Sequence, residues 1–107
     1  MSRKKEIREM ANLVGNSAAH IALLPDSEFA LKEASTYAED AAETASSRTW
    51  STDEISDFQK LALRRAFSEI RERVERYGLP KNKTDDFISR DEKYISLFAE
   101  SHLEKKE

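Results

Sequence analysis

Residues 50–80 read WSTDEISDFQKLALRRAFSEIRERVERYGLP, a stretch whose start, period and stop are all legible from local chemistry. Ser51 is an N-cap residue, and Glu54 three positions on reaches back to the cap's backbone N–H, the reciprocal pattern of a capping box. Trp50 and Ile55 flank it as a hydrophobic staple. At the far end Gly78 is free to turn left-handed, Leu79 is placed to touch Val74, and Pro80 bars continuation. Between these signals Leu63, Phe67, Ile70, Val74 and Tyr77 recur at spacings of four and three, which is one face of a helix. A helix over 52–77 is a rod roughly 40 Å long at ~1.5 Å per residue. The remaining segments are expected to pack along it.

Working outward, Ile7, Met10, Ala11, Val14, Ala18 and Ile21 give a second helical stripe over 3–24. Ala11, Gly15, Ala18 and Ala22 form a ridge of small side chains along its edge. Such a ridge lets another helix approach closely and accounts for a mid-helix glycine that costs ~1 kcal/mol. Pro25 breaks the chain, and Asp26 or Ser27 caps the next helix, expected over 27–47. Its inner face reads Leu31, Ala34, Tyr37, Ala38, Ala41, Ala42 and Ala45. After Pro80, Lys81-Asn82-Lys83 is a polar loop and Thr84 a cap for a fourth helix over 85–103, with Phe87, Tyr94, Ile95, Phe98 and His102 on one face. Asp91 interrupts that face. A start at Ser89, boxed by Glu92, would instead place Asp91 in the first turn. No alternating strand pattern and no internal repeat competes with this reading. The expected fold is a single-domain, all-α, four-helix bundle, mostly antiparallel and up-and-down because the turns are short.

Composition narrows the function classes. Leu, Ile, Val and Phe make up 22 of 107 residues, just above the ~20% below which highly charged chains stay disordered. Thirteen alanines supply much of the remaining apolar surface. So thin a core favours burial against a partner chain, and a homo-oligomer, a dimer first, is the expected state. The net charge of −3 exerts no bulk pull on nucleic acid or anionic lipid. There is no cysteine, which removes disulfides and thiolate chemistry. No apolar run approaches the ~20 residues that span a bilayer, and the basic Arg3-Lys4-Lys5 leads into no signal region, so a cytoplasmic protein without membrane contact is expected.

No constellation of catalytic residues stands out, and the expectation is a non-enzymatic interaction module without a cofactor. Two charged segments are candidates for contacts. Residues 26–47 hold six acids and one base, and Glu39, Asp40 and Glu43 share a face at helical spacing, as a partner surface or a site for a hard cation. Those carboxylates point away from the alanine face, whereas a metal bundle needs inward ligands from several helices. Residues 60–76 hold six bases and three acids. Here Arg65–Glu69, Glu69–Arg73 and Glu72–Arg76 are paired at four-residue spacing. Arg73 falls near the apolar stripe, where it either runs along the core edge or pairs with another helix. The two oppositely charged segments are expected to meet within one copy or across a symmetric interface. Arg64, Arg71 and Arg73, with Trp50 as a stacking group, are the candidate contacts for a phosphate or a partner. They carry the alternative reading, an RNA- or nucleotide-associated accessory protein. His20 and His102 are expected at boundaries or helix ends, since neither has a second histidine at ligand spacing.

Overall fold

A computed structural model describes residues 3–24, 26–78 and 84–104. The expectations for Pro25, for Leu79 against Val74, for Pro80, for the 81–83 loop and for the last three residues fall outside them. Four helices account for the fold: α1 (Arg3–Leu23), α2 (Glu28–Ser46), α3 (Thr52–Tyr77) and α4 (Thr84–His102). Among the described residues there is no strand, and no helix is long and apolar enough to cross a membrane. The long dimension of the fold is 42 Å, close to the roughly 40 Å length of a 26-residue helix such as α3.

The local signals operate as chemistry requires. Ser51 accepts from the Glu54 N–H at 3.1 Å, and the Glu54 carboxylate accepts from the Ser51 N–H at 2.9 Å. Ser27, not Asp26, caps α2 by accepting from the Ala30 N–H. Gly78 ends α3 in the left-handed region at φ 63°, its N–H donating to the Val74 carbonyl. Thr84 is the first helical residue of α4 rather than its cap, and the alternative start at Ser89 is not used.

Cross-links fix the topology. Arg3 meets Glu54, Asn16 meets Arg65 and His20 meets Arg73, so α1 and α3 run parallel. Ser17 reaches Ala34 and Arg48 reaches Glu6, so α2 runs against α1. Arg90 donates to the Ala22 carbonyl and Tyr94 meets Ser17, so α4 runs against α1 as well. The result is an up-down-up-down four-helix bundle with α1 as its hub. Helix α1 packs against all three others, whereas α2 rests almost entirely on α1 and scarcely touches α3. Being surrounded, α1 buries Glu6, Ser17, Ala19 and His20 in addition to Ile7, Met10, Ala11, Val14 and Ala18 of its expected stripe, whereas Ile21 is half-buried.

The seam between α1 and α3 shows why small residues occupy it. A Cβ on Gly15 would lie 2.7 Å from the Ala62 carbonyl oxygen and 2.7 Å from the Arg65 Cβ. At that separation α3 presents its alanines. Its buried positions are Phe58, Ala62, Ala66, Ile70 and Val74, four apart throughout. The expected stripe is thereby rotated: Leu63 and Phe67 are half-buried and Tyr77 is exposed. Helix α2 is corrected in the same way. Ala30, Ala34, Ala41 and Ala45 line its contact with α1 and Leu31 turns outward, because a ridge of methyl groups comes closer to a neighbouring backbone than leucines can.

Candidate functional site

The ends of three helices converge on one depression of about 230 Å3. His20 and Leu24 come from α1 and the residue after it, Phe29 and Glu33 from the start of α2, and Arg73, Arg76 and Tyr77 from the end of α3. Because α2 leans on α1 and diverges from α3, the two outer helices do not close over this end. Three large apolar groups are left in water: Phe29 is 73% exposed, Tyr77 66% and Leu24 47%. Uncovered rings grouped around one depression with a charged rim are the pattern of a contact surface.

The floor of this cleft is polar and structured. The Nδ1–H of His20 donates to the Asn16 carbonyl at 2.8 Å, since a carbonyl can only accept. Nε2 then stands 3.0 Å from a Glu33 oxygen and 3.5 Å from an Arg73 nitrogen. A carboxylate only accepts and a guanidinium only donates, so a second ring proton selects Glu33 of α2 and its absence selects Arg73 of α3. The Tyr37 ring meets the imidazole edge-on at 5.6 Å. His20 is thus a buried bridge between two helices, not the boundary residue expected from its position on the stripe. His102, exposed at the last residue of α4, is where it was expected.

Arg73 lies beside this floor. It pairs with Glu69 of its own helix at 3.8 Å, so its acid partner among the described residues is not on another helix, and it reaches α1 at His20. Glu69 also receives Arg65 at 3.1 Å, and Arg76 pairs with Glu72 one turn further on. All three anticipated four-residue pairs are present.

The other candidate residues separate into two groups. Trp50 is 5% exposed, its indole N–H donates to the Ala45 carbonyl at 2.9 Å, and the guanidinium groups of Arg3 and Arg48 lie 5.3 and 5.9 Å from its ring. A ring so enclosed offers no face to a base, which corrects its role as a stacking contact: it belongs to the core, with Ile55 against the same cluster. Arg64 and Arg71 are exposed on the outer side of α3. Arg64 and Lys60 join Lys4 and Arg8 of α1 around a groove of about 340 Å3 in which Asp57 is the one acid.

The paired and unpaired arginines sort by location. Arg3, Arg48, Arg65, Arg73 and Arg76 have acid partners and Arg90 has a carbonyl. Among the described residues Arg8, Arg64 and Arg71 have neither. Among the described residues Glu39, Asp40 and Glu43 are exposed on α2 without a cationic partner, and no ion pair joins residues 26–47 to residues 60–76. Among the described residues no group of three or more His, Asp or Glu is arranged to hold a metal ion. The cleft escaped sequence reading because it joins residues from three helix ends. Only the placement of Tyr77 at a helix stop hinted at exposure. Comparison with protein-family models, with curated proteins and with solved structures finds no match to this chain.

Proposed function

We propose that this protein is a non-enzymatic interaction module that assembles with a second copy of itself through the α2/α3 cleft. The observation that carries the reading is the exposure of Phe29, Tyr77 and Leu24 around one depression. A second copy is favoured as the occupant by charge. Residues 26–47 on one side of the cleft are net acidic, and residues 60–76 on the other are net basic. A two-fold axis running along the cleft sets α2 of each copy against α3 of the other, acid on base, while a contact of α2 with α2 would oppose like charges. The rings supply affinity and the charges set orientation.

Light scattering during size-exclusion chromatography at low and high salt tests this. The expected mass is a multiple of 12.3 kDa, falling toward the single-chain mass with salt and in Phe29→Asp. A single-chain mass at every concentration, or an assembly indifferent to Phe29→Asp, overturns the reading.

A second reading rests on Lys4, Arg8, Lys60, Arg64 and Arg71, cations without an acid partner among the described residues, which share the α1/α3 side and form a track for a phosphate backbone. Titration of a labelled RNA oligonucleotide checks it. Affinity should fall with salt and in a triple Arg8→Gln, Arg64→Gln, Arg71→Gln variant; affinity unmoved by either excludes the track.

A further inference from the structure

The mid-point of α4 holds a carboxyl group where the bundle offers it nothing. Asp91 has no solvent exposure, and neither of its carboxylate oxygens has a hydrogen-bond partner. It sits one helical turn from Phe87, which packs on the cluster of Ala19, Ala22, Ile70 and Val74, and one turn from Ile95 in the larger cluster containing Met10, Val14 and Phe58. The buried face of α4 therefore runs apolar, acid, apolar, and the acid falls where the two clusters of the core abut. A buried polar group left without partners is costly, and an ionised one far more so.

The groups that might have compensated it are engaged elsewhere. On α1, Ser17 gives its proton to the Ala34 carbonyl and receives that of Tyr94, and His20 is held by Asn16 and Glu33. On α3, Arg65 and Arg73 share Glu69. On α2, Tyr37 meets His20 edge-on. On α4 itself Arg90 is spent on the Ala22 carbonyl. Among the described residues no cation lies within ion-pair distance of Asp91. Burial alone pushes its carboxyl up to about 7.

We infer that α4 is a releasable element, docked on α1 and α3 while Asp91 carries a proton and loosened from them as that proton is lost. Helix α4 is the element suited to move, because it packs on α1 less extensively than α2 or α3 does. Its anchoring to α1 rests on a few polar contacts, Tyr94 to Ser17 and a 3.4 Å Arg90 to Ala22 contact, beside its apolar residues. Release uncovers a groove between α1 and α3 lined by Met10, Val14, Phe58 and Ile70. The inference does not depend on self-association through the α2/α3 cleft, which lies on other helices.

Native-state hydrogen exchange between pH 5 and 8, corrected for intrinsic rates, tests it on the whole chain beside Asp91→Asn. His20 is retained in both proteins, so their difference isolates Asp91. In the unaltered chain the opening of α4 should rise between pH 5 and 8 by tenfold to on the order of a hundredfold, while most of α1 and α3 stays protected. Asp91→Asn should flatten that rise. Equal pH dependence in the two proteins, or loss of protection spread uniformly over all four helices, overturns the inference. Should Asp91→Asn not fold, carboxyl carbon NMR of the unaltered chain decides. An Asp91 titration near neutrality sustains the inference and one in the ordinary aspartate range overturns it.

Discussion

Helix α3 meets its neighbours in two ways, and the difference separates what holds the fold from what is left for something else. Against α1 it closes to the limit, with Gly15 over the Ala62 carbonyl and alanines filling the seam. Toward α2 it does not close, and Phe29, Leu24 and Tyr77 stand in water around the resulting cleft. The same chain that spends small residues to bring two helices together leaves large ones uncovered a few turns away. Large rings that stabilise nothing within one copy are the natural anchors for another molecule.

Substitutions can break this contrast. The largest effect is expected at the closed seam. Gly15→Val should cost in excess of ~3 kcal/mol in urea unfolding, because its Cβ would overlap a backbone oxygen that cannot move without displacing α3. Next comes the buried acid. Asp91→Leu should raise stability at pH 8 by roughly 4 kcal/mol and change little at pH 4. The sign follows from the carboxyl being held at about 7 in the fold against its ordinary 3.8. The destabilisation is absent below about pH 4, accrues as pH rises toward 7, and is constant beyond. Glu54 has the opposite sign. The Arg3 guanidinium and the Ser51 N–H hold it at about 2, so its stabilisation is complete above its ordinary range and is lost as pH falls toward 2. A stability profile over pH 2–9 should therefore peak near pH 4, falling toward pH 2 on one side and toward pH 7 on the other, and level off above that. Replacing Ser51 by Ala should cost ~1 kcal/mol by opening the capping box. The smallest stability change, within ~0.5 kcal/mol, is expected for Phe29→Asp and Tyr77→Asp at the open cleft. Those two should instead abolish association, and a large loss of monomer stability would place the rings in the core.

How far these features could be read from the chain depends on their range. The capping box at Ser51, the stop at Gly78 and the arginine–glutamate pairs of α3 involve residues at most four apart, and each is found in place. The close approach at Gly15 was legible because a glycine in a ridge of alanines has few other uses. Burial faces were less so. Periodicity marks the largest side chains, and here alanines set the contacts, which turned Leu31 and Tyr77 outward. Asp91 resisted reading for a related reason. A carboxylate inside an apolar stripe reads as a register break, and only the continuation of α4 from Thr84 puts it inside. Beyond the placement of Tyr77 at a helix stop the cleft had no local signature, since Leu24, Phe29 and Tyr77 come together through the lean of α2 onto α1.

The most direct test is the solution mass of the unaltered chain beside that of Phe29→Asp, measured by light scattering over a range of concentrations. The expected result is a mass that is a multiple of 12.3 kDa and collapses to one chain in the variant, with helix content unchanged. A single-chain mass for the unaltered protein throughout, or the same assembly in both, would contradict the assignment of the cleft as a self-association surface.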